Sequence, residues 1–472
     1  MTFTAMLAER FNDSAGRELL VTAEGEPLTY GDAATRARAF AASCRRQGVK
    51  AGDAIAVELA NGPDVLVWYF ACFFGGFVLA PVNPELSAED RAHIRDVAKP
   101  RLSITSETRF EPIFSQEETA AFDWRDDSPG VIFFTSGTTG RPKGVVHSWK
   151  SMIENVVAFN ERVGLDASAR MLHVLPMAYM AGFLNTVLSP AMAGGTIVLG
   201  PRFGPQSALD FWSLPIRERV DCAWITPSIA ASLVRMTRND EKARAALDGF
   251  KNLFCGTAPL HEALRAEFRA RFGRSLQESY GTSEQMLLAA QSAADAVIRQ
   301  DVGEPLPTAD LALVEQEQGI DEIFVASRHL GYMTENGFVA PVCDASGRTA
   351  TGDAGRLSDG RLIITGRLKD LIIRGGVNVS PVAVENAFGD VAGVREVAVV
   401  GVPHAYWGET IVACLELEPG HDAAAVVAAV EERARERLGK ACRPDRVVVV
   451  PALPRSSNGK IQKRRLSQDV RT

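Results

Sequence analysis

The hydrophobic patterning of the chain predicts an α/β protein with a large N-terminal body and a small α+β domain behind it. Three observations carry the prediction. At 472 residues the chain is too long for one ordinary core, and two or three domains are the natural division. Short apolar runs alternate with helical stretches over most of its length, the pattern of largely parallel sheets covered by helices. Beyond Gly366-Arg367-Leu368-Lys369-Asp370 the pattern changes to β-rich runs around one Ala/Glu/Arg-rich helix.

In chain order, Ala33 to Gln47 has the spacing of an amphipathic helix, followed by a Gly48/Gly52 turn and a strand at Ala54–Leu59. Val65 to Val82 is uncharged and nearly all apolar, long enough to suggest a membrane span. Gly75-Gly76 splits it and Pro81 ends it, so it reads as a buried helix followed by a buried strand. The acidic stretch between Ser103-Ile104-Thr105 and Val131 reads as an excursion rather than a domain. Gly195–Leu199 and Cys222–Ile225 read as strands flanking a helix from Ser207, and Leu253-Phe254-Cys255 as another strand. In the C-terminal part, strands at Val394–Val402, Ile411–Leu417 and Val447–Val450 accompany a helix from Ala423 to Leu438. A large and a small domain joined at one point leave a cleft, where ligand sites tend to form.

Composition narrows the function classes. An apolar content of 46% excludes global disorder, and a net charge of −7 argues against a nucleic-acid binder. Cys44, Cys72, Cys222, Cys255, Cys343, Cys414 and Cys442 form no CxxC pair or zinc-spaced cluster, which fits reduced thiols in the cytoplasm. Met1 to Arg10 has no basic start followed by an apolar run, so a soluble protein with neither signal peptide nor membrane segment is expected.

The most informative stretch is Val131-Ile132-Phe133-Phe134-Thr135-Ser136-Gly137-Thr138-Thr139-Gly140-Arg141-Pro142-Lys143-Gly144. An apolar strand breaks into a loop of hydroxyls and glycines that carries one Arg and one Lys. Glycines let backbone N–H groups converge on a point, and Lys143 can supply compact positive charge, which together suit a polyphosphate. It is not a Walker A loop, because it lacks the Gly-Lys-Ser/Thr ending. Composition alone is equally compatible with a plain Ser/Gly/Pro surface loop.

The string resembles the signature loop of the adenylate-forming (ANL) superfamily: acyl-CoA synthetases, carrier-protein-loading adenylation domains and beetle luciferases. Further matches follow in the family's order, so the resemblance spans most of the chain, and it is strongest to acid–CoA ligases. It implies an ANL-type fold: a large multi-sheet α/β N-terminal domain (1–366), a hinge (367–370) and a small α+β C-terminal lid (371–472). It implies ATP and Mg²⁺ as cofactors and a small carboxylic acid as substrate. The acid would be activated as an acyl-adenylate with release of pyrophosphate, then passed to the thiol of CoA. An acyl or peptidyl carrier protein, with its phosphopantetheine, is the alternative acceptor; a non-catalytic nucleotide-binding homologue is a remote one.

By this resemblance Thr135, Ser136, Gly137, Thr138, Thr139, Gly140 and Lys143 hold the β- and γ-phosphates. Tyr280-Gly281-Thr282-Ser283-Glu284 resembles the family's Tyr-Gly-x-Thr-Glu segment, with Glu284 holding Mg²⁺ and Tyr280 packing near adenine. Gly256-Thr257-Ala258 resembles the turn lining the adenine and acyl sites. Asp353, in Thr351-Gly352-Asp353, accepts both ribose hydroxyls, with Arg367 as its companion. Lys369 is the position about which the small domain rotates, bringing Arg374 to Val379 against the acyl site. Lys460, in Pro454 to Lys460, bridges the attacking carboxylate and the α-phosphate, a duty that suits an ammonium on a flexible stem. The family's Pro-x-Glu-x-Glu is altered here: Ala383 replaces the first Glu and Glu385 remains, a departure that bears on packing more than chemistry.

Tyr179 stands where relatives often carry His in Pro-x-x-His-x-x-Gly, so it would gate the acyl site without an imidazole. Tyr179, Met180, Trp224, Gly256 and Gln285 are the expected pocket. Gly182 to Thr186 offers no Asp for a substrate ammonium, which argues against an α-amino acid. The largely apolar lining favours a hydrophobic or aromatic acid, and an uninterrupted Arg374-Gly375-Gly376 segment favours CoA as acceptor.

Overall fold

The computed structural model describes residues 2–23, 27–112, 122–136, 142–295, 301–316, 320–455 and 461–471. Among the described residues, one sheet of nine strands forms the centre of the N-terminal body. Its order is Glu304–Pro305, Met286–Ala290, Gln277–Thr282, Asn252–Cys255, Cys222–Ile225, Arg170–His173, Thr196–Leu199, Glu18–Thr22, Leu28–Thr29. The run from Gln277–Thr282 to Glu18–Thr22 is parallel throughout; Met286–Ala290 pairs antiparallel to one side of it and Glu304–Pro305 antiparallel to that strand, while Leu28–Thr29 pairs antiparallel at the other edge. A second sheet runs Gly337–Val339, Gly331–Thr334, Pro142–His147, Val131–Ser136, Val78–Pro81, Ala54–Glu58, Leu102–Thr105. A third, wholly antiparallel, comprises Ala312–Glu315, Asp321–Ala326, Arg348–Ser358 and Arg361–Arg367.

Three of the expected helices form, Tyr30–Arg46, Pro63–Gly75 and Ala423–Arg437, whereas the helix expected from Ser207 is two short pieces, Pro205–Leu209 and Ser213–Arg217. Pro63–Gly75 is apolar all round because it is buried in the main core; Pro63 starts it and Gly76, at φ +77°, ends it. A Cβ on Gly76 would lie 2.6 Å from the Phe122 ring, so the excursion before Val131 is tied onto this turn. The strand Val78–Pro81 follows as expected. Trp149–Val163 begins at Ser148, whose hydroxyl accepts from the Ser151 N–H, and ends at Gly164 in the left-handed region. Phe73, Trp149 and Phe183 interlock edge-to-face between the helices, forming the aromatic centre of the main core.

The C-terminal part, from Ile372, has its own sheet: Val377–Val379, Ile372–Arg374, Gly408–Leu417 and Val394–His404, with Arg446–Val449 pairing in parallel to Gly408–Leu417. Two apolar clusters cover its faces, one built on Phe388, Ile411, Leu415 and Val430, the other on Val400, Val412, Leu453 and Leu466. The mixed α/β architecture with several sheets and a distinct α+β C-terminal part is the fold class the patterning predicts. Glu385, the surviving acid of the altered motif, is 4% exposed, accepts the Val399 N–H at 2.7 Å and pairs with Lys463 at 2.6 Å. It anchors a helix, a strand and the C-terminal segment to one another. Among the described residues no helix is long and apolar enough to cross a membrane.

One expectation needs correction. The polyphosphate stretch is not loop up to Gly144: Pro142–His147 is a strand, antiparallel to Val131–Ser136, with Thr135 opposite Lys143 and Ser136 opposite Pro142. Gly/Pro content reads locally as loop, but the segment turns back to pair with Val131–Ser136. Gly137, Thr138, Thr139 and Gly140 lie outside the described residues, as does the side chain of Ser136.

Candidate active site

The hairpin Gln277–Thr282 with Met286–Ala290 organises the site. A Cβ on Gly281 would stand 2.1 Å from the Met286 carbonyl oxygen, so only glycine lets the two strands close. The Gln285 N–H donates to Thr282 Oγ1 at 3.0 Å, and Met286 takes φ +62° to complete the turn. Asn155, on the helix Trp149–Val163, clamps the returning strand from behind: its Nδ2 donates to Leu287 O at 2.7 Å and its Oδ1 accepts the Leu287 N–H at 3.1 Å. His147 Nε2 donates to the Ser283 carbonyl at 2.8 Å. His147 is fully buried, which pushes its pKa down to about 4 and keeps the ring neutral.

At one end of this hairpin lies a carboxylate corner. Tyr280 is 9% exposed and its hydroxyl donates to Asp353 Oδ2 at 2.7 Å. Asp353 faces Arg367 across the strands Arg348–Ser358 and Arg361–Arg367, and Arg367 Nε meets Asp353 Oδ1 at 3.0 Å. Gly352, at φ +75°, gives its N–H to Glu322 Oε1 at 3.1 Å, while Thr351 Oγ1 accepts the Asp353 N–H at 3.1 Å. Burial raises the Asp353 pKa, opposed by Arg367 and the Tyr280 hydroxyl; burial and the Asp353 charge push the Tyr280 phenol well up. Tyr280 therefore orients the acid through a hydroxyl that stays protonated. Lys369 follows in a short turn, Leu368–Asp370, with its side chain exposed.

At the other end stands an ion pair. Lys143 Nζ lies 3.2 Å from Glu284 Oε1, and 3.9 Å from the centre of the Tyr332 ring on the neighbouring strand. The sequence reading assigned these two residues separately, one to phosphates and one to a metal; the fold makes them contacts of each other. It missed Tyr332, whose hydrophobic strand context gives no signal of a cation beneath it.

The pocket residues are less uniformly placed. Gln285 is 2% exposed and faces inward. Trp224 is 1% exposed, packed at a tilt against Phe159 and Phe254; a Cβ on Gly256 would lie 3.2 Å from its Nε1 and 3.0 Å from Ser279 Oγ. The glycine is thus what lets the indole edge approach the backbone. Thr257 is exposed and held at φ +73°, a strained conformation at the turn the resemblance assigns to adenine. Tyr179 is half-buried, its hydroxyl accepting from Asn83 Nδ2 at 3.2 Å, and Met180 is partly buried beside it. A buried polar chain supports this segment: Asn61 accepts the Met177 N–H at 2.9 Å and contacts His173, whose Nδ1 meets Thr186 Oγ1 at 2.6 Å on the π-helix Ala181–Leu188. A Cβ on Gly182 would collide with the Pro176 carbonyl at 1.9 Å, so this position requires glycine. Arg374 is bound by Asp445 and lies over Trp407 at 5.1 Å. Lys460 lies outside the described residues.

The pattern of the AMP-binding enzyme family matches residues 7–325, and that of the AMP-binding enzyme C-terminal domain matches residues 383–460. The chain belongs to the AMP-binding enzyme family. This AMP-binding enzyme is 30% identical to the long-chain-fatty-acid–CoA ligase FadD13 of Mycobacterium tuberculosis, over 92% of either chain. It is also 30% identical to the indoleacetate–CoA ligase of Aromatoleum aromaticum, over 97% of this chain and 96% of that one. Its fold superposes on ATP-bound MatB from Rhodopseudomonas palustris with a TM-score of 0.86 at 24% identity, covering 100% and 99% of the two chains. The AMP-binding enzyme is therefore an adenylate-forming ligase, a catalyst and not a binding module.

Proposed function

We propose that this AMP-binding enzyme uses ATP to convert a small carboxylic acid to its acyl-adenylate, releasing pyrophosphate, and then transfers the acyl group to the thiol of CoA. One observation carries the assignment of roles. The hairpin reaching from Tyr280 to Glu284 touches the Asp353 corner at one end and Lys143 at the other, so one short element spans a ribose site and a polyphosphate site. Asp353, with two oxygens at one buried corner, is suited to a vicinal diol, and Arg367 and Tyr280 fix its orientation. Lys143 is suited to phosphate as a compact charge.

Among the described residues no three His, Cys, Asp or Glu side chains stand together, so there is no all-protein cage for a cation. A single carboxylate fits Mg²⁺, which is usually held by one or two protein oxygens and the substrate phosphates. Glu284 would hold it there, where the ion neutralises charge on the triphosphate. Lys460, by its motif, would bring a second ammonium to the α-phosphate as the carboxylate attacks, and rotation of residues 371–472 about Lys369 would then clear it for CoA.

For the acid, Trp224, Met180 and the apolar setting around them support a hydrophobic or aromatic substrate. The two ligases named above act on acids of that kind by name. The absence of Asp from Gly182 to Thr186 speaks against α-amino acids. The cytoplasm, where ATP and CoA are found and the thiols stay reduced, is the proposed compartment.

The test is ATP turnover to AMP across a panel of aliphatic and arylacetic acids, each with and without CoA, read by mass spectrometry. The proposal expects AMP and the matching acyl-CoA only when one acid and CoA are both present. An adenylate that persists despite CoA would redirect the second step to a carrier protein.

A further inference from the structure

His329 sits on the short connection between the strands Asp321–Ala326 and Gly331–Thr334, against the Lys143–Glu284 pair, and no role in the site has yet been given to it. It is 4% exposed. Its ring meets Tyr332 edge-on, with centroids 4.9 Å apart, and Lys143 lies over that same tyrosine. Both Lys143 and Glu284 are close enough to act on the imidazole electrostatically.

The proton on this ring has a fixed address. The backbone N–H of Arg328 can only donate, and it donates to Gln285 Oε1 at 2.8 Å. The other end of that amide is therefore the NH₂ group, and it points at His329 Nδ1 at 3.2 Å. Nδ1 must accept, so the neutral ring carries its proton on Nε2. Nε2 is buried and, among the described residues, has no hydrogen-bond partner. A buried donor left unpaired is rare and asks for an explanation.

The surroundings are built to keep this donor still. Arg328 Nε donates to Thr308 O at 2.7 Å and its Nη1 meets Glu154 at 2.8 Å, so the residue before His329 is tied to two other elements. Gln285, one residue after the candidate metal ligand, is held by Thr282 on one side and Arg328 on the other. This N–H lies beside Tyr332, near Lys143 and Glu284, and among the described residues it meets no acceptor oxygen.

We propose that His329 is a further polyphosphate-binding residue of this site: its Nε2–H donates to a β- or γ-phosphate oxygen of MgATP once the nucleotide parts Lys143 from Glu284. The inference rests on the nucleotide reading above. A neutral donor adds a hydrogen bond without adding charge, so it holds the leaving pyrophosphate without trapping it as a second cation would.

The test compares His329→Phe and His329→Gln with the unaltered enzyme by calorimetric binding of MgATP and of AMP. His329→Phe fills the same volume without the donor, and the expected result is about tenfold weaker MgATP binding with AMP binding unchanged, since one hydrogen bond of this kind is worth about that factor. His329→Gln retains an N–H and restores part of the loss. Equal weakening of both nucleotides, or no change for MgATP, overturns the proposal. In case the Phe variant does not fold, the unaltered enzyme labelled with ¹⁵N-histidine gives a second readout. The His329 Nε2 resonance should move on adding MgATP and stay in place on adding AMP; a resonance indifferent to both nucleotides also overturns it. If the unaltered enzyme binds no MgATP at all, the nucleotide reading itself fails, which separates the two claims.

Discussion

At the proposed ribose end of the site Asp353 has 4% of its side chain exposed, and each of its oxygens is held, one by Tyr280 and one by Arg367. At the proposed polyphosphate end Lys143 and Glu284 have 37% and 26% of their side chains exposed and hold each other. The first corner is preorganised: a diol entering it displaces little, and the geometry exists beforehand. The second is a neutralised pair that a nucleotide must exchange for its own phosphates and cation. The two ends should therefore contribute differently, the ribose corner giving affinity for any adenosine nucleotide and the ion pair telling ATP from AMP.

The largest effect is expected where the comparison is sharpest. Asp353→Ala removes two charged acceptors, each worth about 1.5–3 kcal/mol, so MgATP and AMP should both bind at least about 100-fold more weakly by calorimetry. Lys143→Ala breaks the other end: MgATP binding should fall by about tenfold or more, with AMP within about twofold, because only the triphosphate reaches it. A matched loss for AMP would erase the distinction between the two ends. Tyr280→Phe leaves the carboxylate in place but removes its donor, at about 1 kcal/mol. MgATP and AMP should weaken together by about fivefold, and the melting temperature should drop.

The smallest effect near neutrality comes from a group at neither end. His173, behind the Tyr179 segment, is fully buried with its pKa pushed down to about 4, against an ordinary 6.5. The unfolded chain binds its proton first as pH falls, so stability is complete above about 6.5 and is lost between there and about 4. The contribution lost across that window is about 3 kcal/mol, but less than about 1 kcal/mol between pH 7 and 6. His147, equally buried with its pKa also pushed down to about 4, adds a like dependence, so His173→Asn should remove about half of the combined slope seen in urea titrations without changing the ratio of MgATP to AMP affinity.

Much of the fold could be read from sequence because its signals are local. Gly75-Gly76 and Pro81 divide Val65 to Val82 into helix and strand, and the structure ends and begins its elements at those residues. Asp353 and Arg367 were legible as a pair through their motifs, and they prove to be cross-strand neighbours. What could not be read depends on pairing and on contacts across the chain. Lys143 occupies a strand because its segment turns back to pair with Val131–Ser136, where the Gly/Pro content reads as loop. The Tyr280 hydroxyl reaches Asp353, 73 residues away, and Gln285 reaches His329, 44 residues away. Tyrosine and histidine at those positions look like ordinary core residues until the sheets are assembled.

The central claim is that the acid leaves the first step as an acyl-adenylate, and pyrophosphate exchange tests it most directly. With the acid identified from the panel and CoA omitted, labelled pyrophosphate should enter ATP at a rate that depends on both the acid and Mg²⁺. Acyl-CoA formation from that acid with no such exchange, or with ADP and phosphate as products in place of AMP and pyrophosphate, would contradict it.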